Sequence, residues 1–321
     1  MKKLSYYLQI MITCIFISCE KDEIAIPKHN SGDVTTNSAN MNSDYKYQLY
    51  YNLETNTIVG QNLKTAWDLG FETSEDGYRI ILNSSKAMFA FDTDQNNFEE
   101  VSDTTGFMSN RKWDDASGNL DSTALGDWRG NNTIYILDRG YNESGQKLGF
   151  VKFQIVGVED HGYSIRYAQL DGTNEFTLDI NKNDDYNFTF LSMNSNSVVS
   201  IEPPKDKWDL VITQYIESLS TPYLVTGILL NRYNTSAIMD STSIFTEINY
   251  GTAISYSLST DINTIGYNWK KYDYEAGSFI IYPKMNYIIN DQKGFYYKLH
   301  LIDFYDQMGN KGNPKWEYQK L

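Results

Sequence analysis

Asp92, Asp94 and Asn96 alternate along one stretch with Asp103 at the twelfth place, the oxygen spacing of a calcium loop. That loop type requires Gly at its sixth position, Glu at its twelfth and a helix on either side. Here the sixth residue is Asn97 and the flanks read as strand, so a hairpin loop is the preferred reading. A second acidic stretch runs from Trp113 to Trp128 (WDDASGNLDSTALGDW) and could supply the two carboxylates that glycoside hydrolysis needs across a cleft. Loops rich in Asp, Ser and Gly have the same composition without any reaction, and no catalysis is assigned to it. Imidazole and thiol are scarce, with 3 His and 2 Cys in 321 residues, which excludes a disulfide scaffold, a zinc ribbon and most thiol or imidazole catalysis. His29 lies in a polar stretch and is expected only to hydrate. His161, in Glu159-Asp160-His161-Gly162, marks a hairpin tip, and alternation puts His300 on one face with Lys298, read as the solvent face. No Ser/His/Asp triad or Gly-rich phosphate loop is visible. Lys plus Arg number 27 against 41 Asp plus Glu, a formal charge of −14, and such a chain repels phosphate backbones. Nucleic acid is excluded as a partner.

The N-terminus carries an address. Lys2 and Lys3 precede an apolar run from Leu4 to Ile17, shorter than the ~20 residues a bilayer-spanning helix needs, and small Ser18 follows. Residues 1–18 therefore read as a signal peptide. Ser18-Cys19 resembles the cleavage box of bacterial lipoproteins, with Phe16 where that box usually has Leu, and makes Cys19 the lipidated first residue. Glu20, Lys21, Asp22 and Glu23 follow at once and resemble the surface-export signal of Bacteroidota lipoproteins. The implied location is the outer membrane, lipid-anchored and exposed at the cell surface. Removing residues 1–18 takes Lys2 and Lys3 away, so the formal charge falls by two from −14 to −16.

The elements that must position any site are strands. Residues 19–43 are polar and without period, and read as a flexible tether. From Tyr45 onward, runs such as YKYQLYYNL, TIYILD, GFVKFQIVGV, YLVTGILL and FYYKLHLIDFY alternate with Asn/Asp/Gly clusters. Phe150, Lys152 and Gln154 trade faces with Val151, Phe153 and Ile155, and no long stretch keeps a helical period. The 26 Tyr and 15 Phe suit pleated, half-buried surfaces. The expected fold is all-β, an antiparallel meander or sandwich.

An internal repeat divides it into two related β-units. Trp67-Asp68-Leu69 recurs as Trp208-Asp209-Leu210. Upstream, Tyr47 to Tyr51 corresponds to Tyr186 to Phe190, and Ile58-Val59 to Val198-Val199. Downstream, Tyr78 to Asn83 corresponds to Tyr223 to Asn231. The boundary is placed at Pro203-Pro204, giving a first unit over 44–202 and a second over 203–321. Each Trp is expected to fill core while its Asp accepts hydrogen bonds from a neighbouring turn.

The C-terminal hundred residues carry a series of motifs. Trp208-Asp209-Leu210, YLVTGILLN (Tyr223–Asn231) and Ile265-Gly266-Tyr267-Asn268-Trp269-Lys270 come in order. Tyr296-Tyr297-Lys298-Leu299, Asp303-Phe304-Tyr305 and Gly309-Asn310-Lys311-Gly312-Asn313-Pro314 follow them. This series, over about 186–321 and more weakly over 45–90, resembles the HmuY-like family of haem-binding surface lipoproteins from Bacteroidota. The resemblance implies an all-β fold, capture of haem between strand loops, and delivery to a TonB-dependent outer-membrane receptor. It implies a ligand-binding protein that catalyses nothing, with a homodimer allowed. The founding member's two iron-ligating histidines are missing. One matches the neighbourhood of Asp273 and Tyr274; the other falls within 240–259, which holds no His. As replacements the resemblance offers Met239 and Met285, which flank the relevant segments. Phenolate can also ligate haem iron, which brings in Tyr274, with Trp269, Tyr267 and Tyr272 as packing surface. A glycan-binding or adhesive surface module, using exposed Tyr and Trp, is the alternative function.

Overall fold

The computed structural model describes residues 31–159, 161–217 and 221–321. The signal peptide expected over 1–18, the lipidation site Cys19 and the first part of the tether lie outside the described residues. In chain order the strands begin with β1 (Thr35–Ser38), β2 (Tyr47–Asn52), β3 (Thr57–Leu63), β4 (Leu69–Glu72), β5 (Ile80–Leu82), β6 (Phe89–Asp92) and β7 (Arg111–Lys112). β8 (Ile134–Asp138), β9 (Phe150–Glu159), β10 (Gly162–Gln169), β11 (Phe176–Asn181), β12 (Phe188–Ser192) and β13 (Ser197–Val199) follow. Beyond the two prolines come β14 (Leu210–Ile216), β15 (Leu224–Leu230), β16 (Ser236–Asp240), β17 (Lys270–Asp273), β18 (Ser278–Ile281), β19 (Asn286–Asn290), β20 (Tyr296–Tyr305) and β21 (Lys311–Lys320). Among the described residues the single α-helix is one turn, α1 (Tyr250–Ala253). Every strand pairing is antiparallel, so the all-β antiparallel expectation holds.

Four sheets and one separate hairpin result. The orders are β1-β21-β20-β19-β16, β15-β14-β2-β3, β13-β12-β4-β5 and β11-β10-β9-β8-β6-β7, with β17-β18 apart. Three apolar clusters join the four sheets in that sequence. Tyr51, Ile212 and Leu230 pack with Ile289, Leu301 and Trp316 between the first and second sheets. Phe71, Leu82 and Leu191 pack with Leu137, Phe153 and Tyr163 between the third and fourth. Tyr50 and Trp208 meet Trp67 and Phe190 between the second and third. The inner strands are thus covered on both faces, which explains why β2 and β14 read as nearly continuous apolar runs.

The repeat is real in three dimensions, but its halves are exchanged. β14 follows the second Trp-Asp and pairs with β2 from the first copy of the repeat, whereas β4 follows the first Trp-Asp and pairs with β12, which belongs to the second copy although it precedes residue 203. Leu210 lies opposite Tyr51, and Leu69 opposite Leu191. Tyr51 therefore corresponds to Leu191, one residue out of the register expected from sequence. Asn83 donates its side-chain amide to Lys64 O and Trp67 O (both 2.8 Å), and Asn231 does the same to Lys205 O (2.8 Å) and Trp208 O (2.7 Å). Asp68 accepts from Met193 N (2.8 Å) and Asp209 from Leu53 N (2.7 Å). The aspartates do the turn-bonding job read from sequence, but each serves the other half's hairpin. Residue 203 is accordingly a chain connection across which the sheets continue.

Part of the tether reading is corrected. Thr35–Ser38 pair with β21, and Ala39 and Met41 are buried in the first core. An edge strand of Thr, Asn and Ser shows no hydrophobic period, because pairing with the last strand of the chain, not its own side chains, creates it.

The two aspartates differ in charge balance. Asp68 is fully buried and ion-paired with Lys86 and with Arg139 (3.1 Å). Among the described residues Asp209 has no basic partner within ion-pair distance, and burial pushes its pKa up to about 6, with Asp291 adding to the rise. Burial likewise raises Glu202 to about 7 and Asp114 to about 6. A carboxyl with a raised folded pKa keeps its proton longer in the folded state, so stability falls as pH rises from the unfolded value near 4 through the folded one. Thermal unfolding should therefore shift to higher temperature when pH drops from about 7.5 to about 5, and Asp209→Asn should flatten that dependence. A midpoint that falls over this interval would contradict the assignment of these burial shifts.

Candidate functional site

The segment richest in candidate residues is the β17–β18 hairpin. Gly266, in the left-handed region at φ +60°, meets β15 through reciprocal bonds with Ile228 (2.9 and 3.0 Å). A side chain at Gly227 would collide with Gly266 O at 2.5 Å, so glycine is required for that approach. The loop pinned there delivers Trp269, whose indole donates to Gly266 O (3.1 Å). At the far end, Asp273 Oδ1 accepts from Glu275 N (2.9 Å) and Ala276 N (3.2 Å), closing the turn. Tyr274 projects from this tip, 89% exposed. Ring contacts run back to the core without a break: Tyr274 to Tyr272 (5.2 Å), Tyr272 to Phe279 (5.1 Å), Phe279 to Phe304 (5.0 Å) and Phe304 to Trp269 (5.6 Å). Lys270 lies against this chain, 4.2 Å from the Trp269 ring and 4.9 Å from Phe304, and donates to Thr226 O. Burial pushes its pKa down to about 7. Tyr272 and Tyr274 are exposed on the hairpin, and so are Ile280 and Tyr282, which strand alternation puts on the face opposite Tyr272 and Phe279.

The candidates are brought together only in part. Met285 N donates to Tyr282 O (3.0 Å), and its side chain packs on the first core beside Phe279 and Ile281. Met239 lies opposite Tyr287 in the β16–β19 ladder and is 42% exposed. The two methionines therefore sit at one end of neighbouring strands. Tyr274 stands at the opposite end of β18, whose four residues span about 13 Å. Trp269 is wholly buried, so it holds the base of the hairpin and turns no face to solvent. Tyr267 points away, its hydroxyl bonded to that of Tyr223.

The chain matches the family model described as HmuY protein over residues 44–318. It belongs to the HmuY family. Among solved structures, this HmuY-family chain is similar to apo PinO from Porphyromonas gingivitis, at 10% identity and a TM-score of 0.36, covering 90% of this chain and 97% of that one. The apo HmuY analogue TFO from Tannerella forsythia gives 9% identity and a TM-score of 0.35, with 91% and 97% covered. An HmuY-like protein from Bacteroides vulgatus gives 12% and 0.22, with 40% and 82% covered. No curated relative matches it.

In this HmuY-family chain the 240–259 stretch, where the resemblance places a missing histidine, is clamped onto β20 at Phe245 and Ile248. Lys298 Nζ donates to Phe245 O (2.7 Å) and Ile248 O (2.8 Å). His300 stacks on Phe245 at 4.0 Å and 7°, with Nδ1 2.9 Å from Pro283 O and Nε2 3.0 Å from Glu317. The two residues do share a face, but that face is covered, which corrects the solvent-facing reading. Both ring nitrogens of His300 are engaged, and His161 lies in an exposed turn of another sheet. Sequence alternation found the shared face; only the returning segment shows what covers it.

The acidic stretches hold loops in shape. Asp114 accepts from Leu82 N (2.7 Å) and Ala124 N (2.8 Å), and Asp127 pairs with Arg129 (2.7 Å). Asp92 accepts from Asp94 N (3.0 Å) and Thr133 Oγ1 (2.8 Å). Among the described residues no group of three or more His, Cys, Asp or Glu side chains is placed to hold a metal ion.

Proposed function

We propose that this protein binds haem or a related porphyrin at the cell surface and passes it to a TonB-dependent outer-membrane receptor, without catalysing a reaction. Membership of the HmuY family over residues 44–318 carries the reading. The hairpin supports it, because Ile280 and Tyr282 offer an exposed apolar face on which a porphyrin plane can lie. The iron donors proposed are Met285 and Met239 at one end and Tyr274 at the tip, with Trp269 fixing the hairpin from below. Thioether favours ferrous iron and phenolate favours ferric iron, so the donor used depends on redox state.

Titration of the chain lacking residues 1–19 with hemin should shift the Soret band, differently under oxidising and reducing conditions. Met285→Ala should weaken the reduced complex and Tyr274→Phe the oxidised one. A Soret spectrum identical to free hemin in both states removes the reading, and a glycan array then tests the exposed tyrosines as sugar-stacking surface.

Lipid attachment is proposed at Cys19. Buried acyl chains contribute about 0.8 kcal/mol per methylene, enough with two chains for stable anchoring. Cys19→Ala should release the protein from the membrane fraction, and continued retention would count against lipidation there.

A further inference from the structure

The turns that follow β10 and β12 frame a pocket of about 200 Å³ beside Arg139, the first residue after β8. Among the described residues Arg139 is the one charged side chain on its wall, in a chain whose formal charge is −14. That side chain is 10% exposed and fixed in orientation. Nε donates to Asp68 Oδ1 (3.1 Å), and Nη2 donates to Asp68 Oδ2 (3.3 Å) and Asn194 Oδ1 (2.6 Å). Nη1 has no protein acceptor among the described residues. Asp68 does not cancel the charge, because Lys86 shares it and the three groups together carry one net positive charge. Glu143, the other carboxylate near Lys86, borders a different pocket.

Amides complete the polar wall. Gln169 and Asn174 make no side-chain hydrogen bond among the described residues, and Asn196 uses only Oδ1, which accepts from the Tyr167 hydroxyl (2.7 Å). Phe176, partly buried and stacked on Tyr167 (5.4 Å, 28°), supplies a flat apolar face. One guanidinium donor, three amides able to donate and accept, and a ring face suit a hydroxylated ring that carries a carboxylate. The volume exceeds the ~150 Å³ that takes benzene and falls short of the ~300 Å³ at which drug-sized pockets begin. One substituted ring fits and a porphyrin does not. β17 and β18 contribute nothing to the wall, so the pocket is separate from the hairpin.

We infer that this pocket binds one uronic-acid ring of a glycan, with its carboxylate on Arg139 Nη1, its hydroxyls on the amides of Gln169, Asn174 and Asn196, and its apolar face on Phe176. Saturation-transfer NMR on the full chain in detergent tests it, with the methyl glycosides of glucuronate and galacturonate as probes. At least one should bind saturably in the millimolar range or below. Methyl glucoside and methyl galactoside keep the ring without the charge, acetate keeps the charge without the ring, and each should bind at least tenfold more weakly. Loss of a charge-assisted hydrogen bond is of that order. Gln169→Ala should weaken the uronate roughly fivefold, the order for one neutral hydrogen bond. Asn174→Gly, which preserves the left-handed backbone there (φ 52°), should do the same. Arg139→Lys keeps the charge but not the planar fork and should cost at least tenfold; should it fail to fold, the two amide variants decide. No saturation by either uronate, or neutral sugars bound as tightly, would overturn the inference. Acetate bound as tightly as the uronates would overturn recognition of a sugar ring. Undiminished affinity in both amide variants would put the binding elsewhere and overturn the role of this pocket.

Discussion

Asp68→Ala should cost about 3–5 kcal/mol of folding stability, the range for removing one partner of a buried ion pair. The carboxylate is fully buried and neutralises two cations at once, Lys86 and Arg139, while also accepting from Met193 N (2.8 Å). Its removal leaves two cations in the third-to-fourth sheet region without a counter-charge, and a backbone N–H of the crossing hairpin without an acceptor. Lys86 has no solvent to turn to, since its side chain is wholly enclosed. At about 2.1 cal/mol/K of unfolding entropy per residue, in a chain of this size the loss corresponds to a fall in unfolding temperature of roughly 5–8 °C. The repeat supplies an internal control. Asp209 holds the same place in the other half without a cation, so Asp209→Asn at neutral pH should be far milder than Asp68→Asn. Urea unfolding of the two Asn variants decides it, and equal losses would show that the cations contribute nothing beyond the shared backbone bond.

Trp67→Ala and Trp208→Ala should each cost about 3–5 kcal/mol, the range for truncating a large core aromatic. Both belong to the small cluster that joins the second sheet to the third, where Tyr50, Phe188, Phe190 and Ile201 supply the remaining bulk. With so few residues across that layer, a missing indole is not refilled by neighbours. Because both tryptophans belong to one cluster, the double variant should depart from the sum of the single losses. Denaturant unfolding measures all three. Losses below about 1 kcal/mol at both positions would mean that the sheets do not rely on this layer and that the tryptophans behave as surface residues.

Strand identity was legible because period and composition are local. FYYKLHLIDFY could only be a strand, and it is β20. The Trp-Asp repeat was legible for the same reason, since each copy repeats a local task. What the repeat could not show is that each Asp serves the other copy's hairpin. That choice depends on which β-hairpin lies alongside, and the two are alike enough in pattern for either pairing to satisfy the same side chains. The one-residue error in aligning Tyr47–Tyr51 comes from matching residue types: Tyr47 and Tyr186 are alike, but it is pairing with the distant strands, Tyr51 with Leu210 and Leu191 with Leu69, that fixes the correspondence.

Sequence by itself determined the all-β class, the antiparallel pairing of neighbours, the twofold repeat and the resemblance that leads to haem. All of these rest on side-chain chemistry within a few residues, or on motif order. Tertiary structure alone decided that Thr35–Ser38 closes the first sheet, that Lys298 and His300 lie under a returning segment, and that Trp269 is buried while Tyr274 is not. It also brought Trp67 and Trp208 to one cavity from positions far apart in the chain. Burial and adjacency of this kind depend on which distant backbone covers a face, and a strand's own pattern says only that a face exists.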